Sequence, residues 1–214
     1  SRVVVWGGIE CGLLVSGNYI TQAEALESIS AGKCSFISSL SVVSVPILSY
    51  FLDGKPLKPL QLFCAFLAIC GVAILEDLYS VLQEAKPLSR GDILALGQPL
   101  FFGLSLMRVE HYVEKYKEVP NRVMTISCAM CVSVCLMSFL WVLFEAQGFP
   151  ALTYMPEPHR LAALAWTGTV TSVGCMILQG IALQRATATD AALIFATDPL
   201  WSSLFAGWRL GASL

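Results

Sequence analysis

Residues 15–57 align without a gap to residues 172–214 at an offset of 157, and this internal repeat constrains the chain more than any other feature. The match pairs Gly17 with Gly174, Ile20 with Ile177, Gln22 with Gln179, Ala25 with Ala182, Leu26 with Leu183, Ala31 with Ala188, Ile37 with Ile194, Gly54 with Gly211 and Leu57 with Leu214. The two copies are separated by an odd number of apolar segments, and an odd number of membrane crossings turns the second copy upside down relative to the first. The predicted fold is therefore an all-α, polytopic membrane helix bundle with inverted repeats.

A bilayer is the only solvent that suits such a composition. Hydrophobic residues make up 56%, charged residues only 13%, and the mean hydropathy is +0.70, against about 25% charge in an ordinary soluble domain. A formal net charge of -2 leaves no basic footprint for nucleic acid. The eight cysteines fall inside apolar runs, which makes them packing residues rather than a disulfide framework. Cys128-Ala129-Met130-Cys131 has CxxC spacing but no neighbouring His or carboxylate, so no metal is expected. Neither a phosphate-cradling loop nor a nucleophile elbow is present, and neither an enzyme nor a cofactor is predicted.

A crossing takes about 20 apolar residues, and seven candidates follow: 3–22, 34–52, 58–75, 92–112, 123–144, 161–183 and 191–208, with the third the weakest. Turn formers and charge separate them at Asp53–Pro56, Lys86–Gly91, Val119–Arg122 and Pro150–His159. Through the offset, the first two spans correspond to the sixth and seventh. The third and fourth should then recur beyond residue 214, and the fifth should have a counterpart before residue 1. The expectation is seven of ten helices, with residues 1–112 forming a first repeat that lacks its first helix and 113–214 a second that lacks its last two. The repeat supplies internal symmetry, so a monomer is expected.

The run Ala31–Leu48, AGKCSFISSLSVVSVPIL, resembles the third helix of the EamA family in the drug/metabolite transporter superfamily. Ala182–Ile194 with Asp198-Pro199-Leu200-Trp201 resembles the eighth, and Ser89–Leu96 resembles the Gly-Asp start of the fifth. The resemblance covers nearly the whole chain and implies a ten-helix secondary transporter with a central cavity. The implied activity is movement of a small organic metabolite across a plasma membrane or an organelle membrane such as the plastid envelope, by alternating access. Two alternatives stand beside it: a seven-helix receptor, if the repeat is accidental, and a phosphate-sugar or nucleotide-sugar carrier of the same superfamily. The latter would favour Lys or Arg deep in the spans.

Ionisable groups inside a span cost about 2.5–3.5 kcal/mol on insertion scales, so they tend to face a cavity or a partner. Glu10 and Asp198 qualify. Asp198 precedes Pro199, which breaks helical hydrogen bonding and frees the carbonyl of Phe195. A carboxylate that gains and loses a proton there would add proton coupling. Glu10 lies beside a Gly8, Gly12, Ser16 stripe suited to close helix approach, and it either lines the cavity or pairs with a residue in helices outside the chain. The offset pairs Asp198 with Ser41 and Glu10 with Thr167, placing all four near mid-span. Ser38 and Ser41 extend towards Pro46, Gln98 precedes Pro99, and Trp201 shares the face of Asp198 three residues on. These seven residues are the candidate substrate-binding or coupling set. Asp92, Arg108, Glu110 and His111 are expected as boundary residues at the ends of their helix. Lys and Arg divide eight to five between the two sides, which leaves sidedness open.

Overall fold

The computed structural model describes residues 2–29, 31–54, 56, 59–75, 89–145, 158–198 and 201. All regular structure among them is helical. The helices are α1 (Arg2–Leu26), α2 (Ala31–Ser39), α3 (Ser41–Asp53), α4 (Pro59–Leu75), α5 (Arg90–Lys115), α6 (Arg122–Glu145), α7 (Pro158–Trp166), α8 (Cys175–Ala182) and α9 (Ala188–Phe195), with a π-helical segment, Thr167–Gly174, between α7 and α8. Five stretches are long and apolar enough to cross a bilayer: Arg2–Leu26, Lys33–Asp53, Arg90–Lys115, Arg122–Phe144 and Leu161–Ala182. They correspond to five of the predicted spans. α4 is shorter, as the sequence led one to expect, and half of the predicted span 191–208 lies outside the described residues.

The chain divides into two compact units, Ser1–Ser16 with Arg108–Arg185, and Gly17–Met107 with Ala186–Leu214. In the first, the start of α1 runs alongside α6. A Cβ at Gly8 would lie 2.7 Å from the Ile126 carbonyl oxygen, and one at Gly12 2.8 Å from that of Met130. The small-residue stripe is thus a packing seam, and Ser16, next in the stripe, is buried with its hydroxyl donating to the Gly12 carbonyl at 2.7 Å. On the other face of α6, Val123 and Ser127 meet Gly180 of α8. Arg122 ties the turn before α6 together, donating to the carbonyls of Val113 and Lys117 and to Gln184 Oε1. Asn121 makes that turn with φ 57°, a conformation Asn tolerates better than most residues.

In the second unit, the later part of α1 packs on the first part of α5. A Cβ at Gly97 would meet Thr21, and one at Gly91 would meet Ser28. Ala25, Cys34, Ile37 and Ala95 form the buried cluster beneath them. Gly103 of α5 receives Val45 and Leu48 of α3. Ser89 and Asp92 cap α5 reciprocally, each backbone N–H donating to the other's side chain at 2.9 and 3.2 Å. Thr187 and Asp190 do the same for α9. Gly54, at φ 65°, closes α3 by donating to the Ser49 carbonyl.

Two predicted spans are not continuous α-helices. The 34–52 span breaks at Leu40, whose N–H donates to Ile37, three residues back, at 3.1 Å. Ser38, Ser39, Ser41 and Ser44 are weak helix formers around that point, and Pro46 cannot donate to the Val42 carbonyl. The 161–183 span widens into the π segment, where Thr169 donates to the Ala165 carbonyl at 2.6 Å and Thr171 to that of Thr167 at 2.5 Å. Threonine back-bonding to carbonyls four residues behind loosens the backbone ladder, and the sequence TGTVTSVG offers few good helix formers to resist it.

The outside is apolar. Trp6, Phe51, Phe63, Phe66, Leu164 and Leu178 are all more than half exposed, an arrangement that suits lipid and would be costly in water. The cysteine expectation holds for Cys11 and Cys34, which are buried, whereas Cys128, Cys135 and Cys175 face outward.

Candidate functional site

The first unit builds a polar cluster from α1 and α5. Glu10 lies eight residues inside α1 and Arg108 seven residues before the end of α5. At 1.5 Å per residue both sit about 10–12 Å from those helix ends. The Glu10 Oε1 atom is 2.9 Å from Arg108 Nε. The Tyr112 hydroxyl donates to Glu10 Oε2. Arg108 and Tyr112, four residues apart on one helical face, thus close on the same carboxylate from successive turns. The Tyr112 ring fits against Gly7, where a Cβ would come within 2.8 Å of it, and stacks with Tyr116 at 6.1 Å.

Two expectations are corrected here. Of the two roles open to Glu10, pairing outside the chain gives way to a partner within it, and Arg108 is that partner rather than a boundary residue. Asp92 and Glu110, also expected at the boundary, are buried. Asp92 holds Lys33 of α2 at 2.6 Å, which fastens the start of α2 to the start of α5 in the second unit. Arg108 was legible only as a pattern, since the Arg108/Tyr112 spacing marks one face but does not say what it meets.

Thr167 opens the π segment of the same unit. Its side chain is exposed and its carbonyl accepts from Thr171, and no hydrogen bond or ion pair among the described residues joins it to Glu10. An apolar groove of about 500 Å³ runs along α1 and α6, lined by Val5, Ile9, Met124, Cys128, Ala129 and Val132 with Thr125 as its one hydroxyl. That lining lacks the charge a polar solute needs.

The second unit holds the remaining candidates. Gln98 is buried at 1% exposure, donating through Nε2 to Cys34 Sγ at 3.1 Å. Its Oε1 has no partner among the described residues. One residue on, the Pro99 carbonyl accepts from Ser44 Oγ at 2.8 Å, so the α3 serines reach the kink in α5. Ser41 is buried and begins α3 directly after the break at Leu40, while Ser38 is half-buried one turn earlier. Phe102 and Phe195 meet edge to face at 5.5 Å, which brings α9 beside α5. Asp198 and Trp201 are exposed, and Pro199 lies outside the described residues. No group of three or more metal-ligating side chains occurs among the described residues.

One solved structure, described as "Crystal structure of protein", superposes on 98% of this chain and 70% of its own length, with a TM-score of 0.74 at 16% identity. At that identity it establishes the fold alone. No curated protein matches the chain. The model of the EamA-like transporter family matches in two segments, 4–76 and 89–214. With nearly every described helix inside those segments, the chain belongs to the EamA-like transporter family and is a membrane transporter of the drug/metabolite superfamily.

Proposed function

We propose that this protein moves a small organic metabolite by alternating access, with Ser41, Thr167 and the carboxylate of Asp198 as substrate-binding or coupling residues of its two units. One observation carries the reading. The two spans that depart from regular α-helix do so beside candidate hydroxyls, at Leu40 before Ser41 and in the π segment that Thr167 opens. Interrupted helices are tolerated at membrane depth where they are buried or line a cavity, and they form binding sites in many inverted-repeat carriers. π turns inside α-helices cluster at functional sites for the same reason, since they leave backbone groups less well paired.

The two-repeat organisation belongs to this proposal. Residues 77–88 interrupt the family match between α4 and α5, which favours a boundary there over one at residues 112 and 113. A single chain containing both repeats needs no partner subunit, so the proposed state is a monomer, in a plasma membrane or an organelle membrane such as the plastid envelope. The receptor reading has no support once the family is established.

Proteoliposomes of the full-length protein test the mechanism. Uptake of radiolabelled alanine or phenylalanine is expected to follow an imposed pH gradient. Asp198→Asn is expected to retain flux down a concentration gradient while losing that dependence. A normal pH-gradient response in Asp198→Asn would remove the coupling role.

A further inference from the structure

We propose that Arg108 is an oxyanion-binding residue that takes the carboxylate of the transported solute, with Glu10 and Tyr112 positioning its guanidinium. The inference rests on the transporter reading and names the substrate class, an organic acid or an amino acid.

The guanidinium carries five N–H donors in a rigid fork. Its recorded contact with Glu10 is through Nε, at 2.9 Å. Among the described residues no other side chain or carbonyl partners the guanidinium, and about half of the side chain, 51%, is open. One carboxylate, whose second oxygen already accepts from Tyr112, cannot occupy all five N–H groups. The N–H groups left over can grip a second carboxylate with two parallel hydrogen bonds. A guanidinium of purely structural purpose would be expected to spend its donors on carbonyls, as Arg122 does with three partners.

Charge balance points the same way. Arg108 and Glu10 together are neutral, so the cluster can be carried inside the span without an isolated charge. Tyr112 donates to the second carboxylate oxygen, which fixes the plane of Glu10 and, through it, the direction of the guanidinium. An arriving carboxylate would find donors already aimed and would not have to break the Arg108–Glu10 pair. A solute ammonium group, if present, has the Glu10 carboxylate close by. Lipid phosphate shares the oxyanion chemistry, and the experiment separates the two sources.

In full-length protein in phosphatidylcholine nanodiscs, phenylglyoxal modification of Arg108, read by mass spectrometry, reports occupancy of its exposed guanidinium. The probes are acetate, L-alanine and L-phenylalanine, each paired with its amide. At least one acid is expected to protect Arg108 saturably, with its amide about tenfold weaker or more, because the amide cannot accept a charge-assisted fork. Glu10→Gln, which keeps the size but not the charge, is expected to weaken that protection about tenfold. Protection by no acid, or equally by acid and amide, overturns the proposal. So does protection that appears only when phosphatidylglycerol is added, since the oxyanion is then a lipid headgroup. Unchanged protection in Glu10→Gln removes the positioning role. Flux keeps the two readings apart. Acid uptake surviving in Arg108→Gln sinks this inference alone, whereas absence of any protein-dependent flux sinks the transporter mechanism.

Discussion

Gly12→Ala should destabilise the protein by about 1–3 kcal/mol relative to Gly71→Ala. An added Cβ at Gly12 would lie 2.5 Å from Ser133 Cβ and 2.8 Å from the Met130 carbonyl oxygen. Carbon contacts are optimal at about 3.5–4.0 Å, so α1 and α6 must part by about 1 Å. If about 20 to 30 atom pairs along the seam each lose about a third of a well of about 0.15 kcal/mol, the loss is about 1 to 1.5 kcal/mol before backbone strain. Met130 meets the new atom with its backbone, which cannot rotate aside as a side chain can. Gly71 of α4 has nothing within 4 Å of its ideal Cβ. It therefore gains the alanine helix preference, up to about 1 kcal/mol, without a clash. Comparing the two variants cancels that preference and isolates the packing cost. Gly8→Ala meets the Ile126 carbonyl oxygen at 2.7 Å and should behave alike. Because one separation of the helices relieves both clashes, the double variant should cost about 1 kcal/mol less than the sum of the singles. Equilibrium unfolding in bicelles measures all four proteins. Gly12→Ala within about 0.5 kcal/mol of Gly71→Ala, or full additivity with Gly8→Ala, would refute the close seam.

Glu10→Gln and Arg108→Gln should each lower stability, and the double variant should lose about 1–3 kcal/mol less than their sum, since each single leaves a charge unpaired inside the span; the same unfolding assay yields the coupling, and additivity would mean the pair does not persist in the bilayer. Ser44→Ala removes the bond to the Pro99 carbonyl and is expected to cost about 0.5–1.5 kcal/mol, with no loss pointing to water or lipid as an equal substitute. Thr187→Ala takes away the side-chain half of the α9 cap and should cost about 1 kcal/mol, read most directly as faster amide exchange at Asp190.

The elements that follow from composition and length were legible in the sequence, and those that follow from backbone competition were not. An apolar run such as Arg122–Phe144 has one outcome in lipid, a continuous helix, because every backbone group must be paired within the segment. Its existence is thus fixed by hydropathy. The glycine seam was readable for a similar reason, since Gly8 and Gly12 leave room that only another backbone fills. Leu40 and the π segment lie on another link of the chain. There the α-helix competes with tightened or widened turns of nearly equal energy, and the outcome depends on where serine and threonine hydroxyls bond back. Periodicity is blind to that balance. Arg108 was hidden by a third cause: seven residues from a helix end, a long cation can snorkel at little cost or turn inward to a carboxylate. Only the position of Glu10 on a neighbouring helix decides between them, and that is a fact of packing. The same near-balance suits a transporter, because a helix held by few kilocalories in one geometry can be moved to another by a solute that binds only one of them.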